Sequence, residues 1–283
     1  MIFEELRPQL FSLAYRMMGT RADAEDIVQD AYLRWRSADH STVLSPRSYL
    51  NAVVARLSPD ALKSARHKRE TFIGTWLPEP VAQIPDPAAG VELADSMSMA
   101  FLHLLESLTP AERVAFLMRE VFGAEYAEVA VVLETSEANC RQLVTRARTH
   151  MREKRPRFTV DPAKHQKVLR EFIDACAKDD KATLVSLLRD DAILYSDGGG
   201  KAAAALNPIY GADKVARFCL GVRDKQPVGI RVEPSFVGGM PALAFVTESG
   251  IDSIFTLDLD ENGRIQGVYI VRNPDKLGAY MRH

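Results

Sequence analysis

Four prolines close together, Pro78, Pro80, Pro85 and Pro87, do most to limit how this chain can fold. Proline inside a helix removes a hydrogen bond and clashes with the preceding turn, so residues 71–95 cannot be one helix. They read as a linker between sequences of different period. Before it, residues 1–70 repeat at helical spacing: Leu10, Leu13, Ala14 and Met17, then Ile27 and Ala31 beside Val28 and Tyr32. A third helical run covers 48–56. After it, Met99, Leu102, Leu105 and Leu108 form a stripe, and Thr109-Pro110 opens a further helix with proline at its first position. Pro156 stops the last of these helices.

From Asp161 the pattern changes again. Val168, Leu169, Phe172, Ile173 and Cys176 mark an amphipathic helix. Strand-like runs follow at 192–196, 230–237, 243–247, 254–259 and 267–271, with turns at Gly238-Gly239 and Glu261-Asn262-Gly263. The expected architecture is multidomain: two all-α domains at 1–70 and 96–157, a linker at 71–95, and an α+β domain at 161–283. Helices before and among antiparallel hairpins predict an α+β layer or a cone-shaped barrel for that last domain.

Charge narrows the function. The 283 residues carry a net charge of -2, whereas a protein that captures DNA unaided is usually basic. Basic residues are gathered instead at 136–157: Arg141, Arg146, Arg148, Arg152, Lys154, Arg155 and Arg157 stand against Glu137 and Glu153. That distribution suits a subunit brought to DNA by a partner. No apolar run reaches the roughly 18 residues of a membrane span, and the first residues lack the order of a secretory signal. Cys140, Cys176 and Cys219 are far apart and fit neither a disulfide framework nor a zinc site. We therefore expect a cytoplasmic protein with no membrane contact, metal or cofactor.

The basic segment has a local design. Tyr126, Val129, Ala130 and Leu133 form a short apolar face, Glu134-Thr135 interrupts it, and Ser136 is placed to cap a second helix. That helix turns Cys140, Leu143, Val144, Ala147 and Met151 inward and Asn139, Arg141, Gln142, Thr145, Arg146 and Arg148 outward. Two short helices with a polar, basic second face make a helix-turn-helix pattern. Arg, Asn and Gln are the side chains that bond to base edges in the major groove. Arg152, Lys154, Arg155 and Arg157 suit phosphates. An ordinary helical hairpin with a solvated basic face is the alternative, and Glu134 stands where such turns often place glycine.

The segment from Asp23 to Trp35 (DAEDIVQDAYLRW) resembles region 2 of the extracytoplasmic-function RNA polymerase sigma factors. The resemblance implies that this helix docks on the clamp coiled coil of core RNA polymerase through Asp26, Gln29, Asp30 and Leu33, which share one helix face. Ser45 through Glu70 resembles the promoter-melting part of region 2. Tyr49 and Asn51 would meet an unstacked base of promoter DNA, and Arg56, Lys63, Arg66, Lys68 and Arg69 its backbone. Ser58-Pro59 departs from the family's unbroken helix, so one helix is expected to end near Leu57 and another to begin at Ser58. Residues from Ser107 through the helix-turn-helix resemble region 4.

Three further strings resemble those of sigma factors that carry a fused SnoaL-like domain: Trp76-Leu77-Pro78-Glu79-Pro80, Asp197-Gly198-Gly199-Gly200-Lys201 and Asn273-Pro274-Asp275-Lys276-Leu277. The resemblance implies a regulatory interface on the linker, with Trp76 as its apolar anchor, in place of a separate anti-sigma factor. Gly198–Gly200 then permits close backbone approach, where otherwise it is a flexible turn. Two other readings stay open. One is a stand-alone DNA-binding regulator with a sensory domain, for which residues 20–70 have no explanation. The other is a SnoaL-like cyclase or isomerase using Asp197 as base, with Tyr195, Asp252 or Arg272 nearby. Nothing else marks a catalytic residue, so no enzymatic activity is expected.

Overall fold

The computed structural model describes residues 2–82, 97–154, 161–278 and 280. Pro85, Pro87, Arg155 and Arg157 lie outside these, as do the side chains of Lys68 and Lys154. The chain forms two compact units, one built from Met1–Thr71 and Phe101–Pro156, the other from Phe72–Gln83, Met97–Ala100 and Arg157–His283.

The first unit is helical. Its elements are α1 (Ile2–Met18), α2 (Arg21–Ser37), α3 (Pro46–Glu70), α4 (Met99–Leu105, whose first two residues belong to the second unit), α5 (Pro110–Phe116), α6 (Tyr126–Leu133) and α7 (Glu137–Lys154). The Thr20 hydroxyl caps α2, Ser45 caps α3, and Thr109 with Glu112 forms a reciprocal capping box on α5. Leu10, Leu13, Met17, Ile27, Val28 and Ala31 are buried, as their spacing requires. A π-helical turn, Leu117–Val121, extends α5. The chain does not break at Ser58-Pro59: α3 runs unbroken through Pro59, correcting the expectation of two helices. The buried Ser58 hydroxyl donates to Val54 O at 2.8 Å, a local bond inside the turn that proline disturbs. α3 also packs on α5 and α6, so the two expected helical domains share one compact unit.

The second unit contains α8 (Pro162–Ala177), α9 (Lys181–Leu187), β1 (Leu188–Asp197), β2 (Ile209–Tyr210), α10 (Ala212–Arg223), β3 (Arg231–Val237), β4 (Met240–Thr247), β5 (Gly250–Leu259), β6 (Ile265–Val271) and α11 (Pro274–Leu277). The sheet order is β2-β1-β6-β5-β4-β3. All neighbours are antiparallel except β1 and β6, which run parallel, so the sheet is mixed rather than wholly antiparallel. The long excursion through α10 and β3–β5 supplies the crossover that a parallel pair needs. The short strand β2 and the helices α9 and α10 extend the sequence reading.

Both sheet faces are covered, and the pleat explains how. Successive side chains of a strand point to opposite faces. Leu243, Phe245, Phe255, Leu257 and Val268 join Phe172 of α8 and Val215 of α10 in one core. Their neighbours Ala242, Ala244, Ile254, Tyr269 and Val271 belong to a second core with Leu277, Tyr280, Met99, Ala100 and Leu77. Part of the predicted linker is therefore a component of this unit's core.

All three cysteines are buried. Burial pushes the Cys176 thiol up to about 12 and raises Cys219 and Cys140 as well. We predict that a disulfide reagent at pH 8 titrates the native thiols only slowly and all three promptly in denaturant. Rapid release of one equivalent from the folded protein would contradict this packing.

Candidate functional site

The first face lies on α2. Ala24, Ile27, Val28, Ala31 and Trp35 point inward, which leaves Asp26, Gln29, Asp30 and Leu33 on the exposed side. Leu33 is 53% exposed, a large apolar group beside acceptors that make no hydrogen bond or ion pair among the described residues. The arrangement suits a basic partner surface with an apolar socket.

The melting residues expected on α3 divide. Tyr49 is half-buried and tilted against Trp35, with ring centroids 5.7 Å apart. Asn51 Oδ1 accepts from Gln9 Nε2 at 3.4 Å. Lys63 and Arg66 are exposed, and Lys63 pairs with Asp60 at 3.0 Å. Arg56 is exposed but donates to Val131 O of α6 at 3.0 Å. Arg69 is turned inside: its guanidinium bonds Glu106 and Met18 O, and Glu106 also receives the buried Arg113. Burial pushes the Arg69 pKa down, against the opposing pull of Glu106. In this arrangement Arg69 serves the α3–α5 contact rather than a DNA-facing surface.

The helix-turn-helix is made by α6 and α7. Glu134 takes the left-handed conformation, φ 51° and ψ 44°, that the tight turn demands, so a non-glycine residue fills the position usually given to glycine. Ser136 Oγ accepts from Asn139 N at 3.2 Å and starts α7. Cys140, Val144, Ala147 and Met151 are buried and Leu143 half-buried, whereas Asn139, Arg141, Gln142, Thr145, Arg146 and Arg148 are all exposed. Two of the arginines are braced. Arg141 pairs with Glu137 at 2.8 Å, and Arg148 forks onto Glu120 at 2.6 and 3.0 Å, which raises the Arg148 pKa. Gln142 and Arg146 have no hydrogen-bond or ion-pair partner among the described residues. The exposed Arg141–Glu137 pair contributes little, so DNA can displace it at small cost, whereas the bidentate contact to the largely covered Glu120 holds Arg148 more firmly.

The third site joins the three C-terminal and linker strings within the second unit. Asp197, wholly buried at the end of β1, accepts from Leu77 N through Oδ2 at 2.9 Å and from Gly199 N through Oδ1 at 3.0 Å. Lys276 of α11 pairs with Asp197 Oδ2 at 2.6 Å and donates to Leu77 O. Its ammonium lies 4.2 Å from the Trp76 ring centroid and 5.2 Å from that of Phe72. Leu77, fully buried, is the apolar anchor, and half-buried Trp76 instead caps the lysine. Pro78, Glu79 and Pro80 are buried too. Lys201 binds both oxygens of Asp275 at 2.7 and 2.6 Å, and Asn273 caps Asp275 N, with Pro274 starting α11. The glycines are needed for contact. A Cβ on Gly199 (φ +61°) would meet the Asn273 side chain at 2.5 Å, and one on Gly200 (φ +70°) would meet Ile73 of the linker at 3.1 Å. Gly238 N also donates to Val81 O at 2.8 Å, a linker contact without a sequence signal.

Removing the Lys276 ammonium leaves Asp197 buried without its cation, a change that costs roughly 3–5 kcal/mol. We predict that Lys276→Met frees the linker. In a Trp35→Phe background, Trp76 emission should then shift to longer wavelength as the ring meets water. Emission identical to the parent would contradict the clamp.

Comparison with known proteins places the chain. Residues 2–68 match the family model "Sigma-70 region 2" and residues 98–151 match "Sigma-70, region 4". The chain is 41% identical over 286 residues to the ECF RNA polymerase sigma factor SigJ of Mycobacterium tuberculosis, covering 97% of this chain and 91% of that protein. It is 34% identical over 274 residues to the probable ECF sigma factor SigI of the same species, covering 96% and 92%. The crystal structure of SigJ superposes with a TM-score of 0.79 at 36% identity, over 100% of this chain and 99% of that one. The protein belongs to the extracytoplasmic-function RNA polymerase sigma factors and carries a C-terminal SnoaL-like domain.

Proposed function

We propose that this sigma factor directs core RNA polymerase to specific promoters under control of its own C-terminal domain, which acts by holding the linker. Region 2 and region 4, with an exposed α2 face and an exposed recognition helix, support the promoter-specificity role. The observation that carries the regulatory part is the Asp197–Lys276 pair, whose two groups bond both backbone atoms of Leu77. Because the linker joins the two promoter-reading regions, a domain that holds it governs how far they separate. Arg56 and Arg69, bonded to Val131 O and Glu106, would reach DNA once that separation occurs. The C-terminal domain thereby does work that a separate anti-sigma factor does elsewhere.

Catalysis by this domain is disfavoured. Asp197 is fully buried, ion-paired, and absent from the walls of the domain's cavity, so it offers no base to a substrate. Asp252, which does line the cavity, is paired with Arg272 at 2.8 Å.

The test is co-elution of the purified chain with core RNA polymerase from its own source, followed by initiation on genomic fragments. We predict stable association and discrete transcripts. Asp197→Lys and truncation before Asn273 should both alter promoter output severalfold while the helical unit keeps its melting behaviour. No association with core polymerase would overturn the sigma role, and wild-type transcription by both variants would overturn control by the linker.

A further inference from the structure

A cavity in the C-terminal unit is lined by none of the promoter-reading residues and by none of Asp197, Lys276, Leu77 and Trp76. It lies between α8, α10 and the inner face of β3–β6 and holds about 530 Å³, within the range of cavities that take small organic ligands. Phe172, Phe218, Phe245 and Phe255 are among its walls. Protein interiors normally close to the density of organic crystals, and unfilled apolar space is destabilising. A domain that only had to pack on the linker gains nothing from this volume.

The polar groups on the wall give the occupant a chemical class. Arg272 Nη2 donates to Asp252 Oδ1 at 2.8 Å, and Arg272 Nη1 donates to Ala203 O at 2.8 Å. The pair retains 24% and 21% side-chain exposure, so a ligand can reach it. Arg223 is matched by Asp179 and Asp224. Lys225, exposed at the same cavity, has no ion pair among the described residues. The charge left over at an apolar chamber is thus positive.

We infer that this cavity binds an apolar molecule bearing one carboxylate or similar anionic group, received by Arg272 and Lys225, and that the ligand acts on the linker clamp through Arg272. The regulatory half rests on the function proposed above; the binding half does not. Arg272 is suited to the link because its backbone N–H donates to Asp197 O at 2.7 Å. Its guanidinium holds Ala203, in the loop where Leu206 lies beside Gly74 of the linker. Asn273, the next residue, touches Gly199 and begins the helix that carries Lys276. An anion that draws the guanidinium away from Ala203 therefore disturbs three contacts of the clamp together.

The test titrates the full chain with 8-anilinonaphthalene-1-sulfonate, an apolar anion, and competes it with dodecanoate or the uncharged dodecan-1-ol. The inference requires one saturable site per chain, at which dodecanoate competes at least roughly tenfold more effectively than the alcohol, as a charge-assisted bond to Arg implies. Val222→Phe, which fills the cavity from α10, should abolish binding, and Arg272→Gln should remove most of the preference for the anion. If Val222→Phe melts below the parent, Ile173→Phe from α8 takes its place. Absence of saturable binding, or binding that survives both filling variants, overturns the site; equal competition by acid and alcohol overturns the anionic class. In the Trp35→Phe chain, dodecanoate should shift Trp76 emission. Binding without that shift overturns the coupling, while the transcription of the Asp197→Lys chain judges the clamp separately.

Discussion

The Lys276 ammonium meets a different partner on each side: the Asp197 carboxylate, the carbonyl of Leu77, and the rings of Trp76 and Phe72. The seating of the linker on the second unit is organised around this one charge. Moving a lysine and an aspartate out of water costs several kcal/mol each, and their attraction alone rarely returns a net gain. The pair is better understood as a device for register. Asp197 fixes the Leu77 amide and Lys276 its carbonyl, so the linker can seat in only one position. Leu77 then fills the core formed by Val237, Ile254, Val271 and Leu277, and the hydrophobic gain makes the seat worth occupying.

The helical unit has a comparable centre in Glu106, which accepts from Arg69 of α3 and Arg113 of α5. It brings the end of region 2 to the start of region 4, and Arg56 with Val131 O adds a second contact between them. Residues expected to read promoter DNA thus split between those already facing outward, such as Arg146 and Gln142, and those engaged inside the protein. Arg146 and Gln142 stand exposed on a preformed helix-turn-helix, whereas Arg56 and Arg69 are bonded to Val131 O and Glu106.

Much of this was legible in sequence, but unevenly. The inward stripes of α2 and α7 obey helical periodicity, and their outward faces follow by subtraction. The strings around Trp76, Asp197 and Lys276 were visible as strings, yet their spacing said nothing of the Asp197–Lys276 bond, since 79 residues separate the two. Leu77 displaced Trp76 as anchor: it is buried in the core with Val237, Ile254, Val271 and Leu277, while Trp76 stays half-buried over the Lys276 ammonium. The unbroken α3 ran against a local rule, proline as helix breaker, that tertiary packing overrode. The parallel pairing of β1 with β6 is likewise set by topology, as is the cavity lined from two helices and four strands. Cys219 and Val215 of α10 do show a helical stripe, so that helix was readable where the short β2 was not.

The central claim is that Asp197 and Lys276 act as one unit on the linker and that this unit controls initiation. A double-mutant cycle on promoter output, using Asp197→Asn, Lys276→Met and the pair together with core polymerase, addresses it directly. The account predicts that either single change alters transcription as much as both combined, because each alone dissolves the same clamp. Single effects that sum in the double variant, or no effect in any of the three, would contradict it.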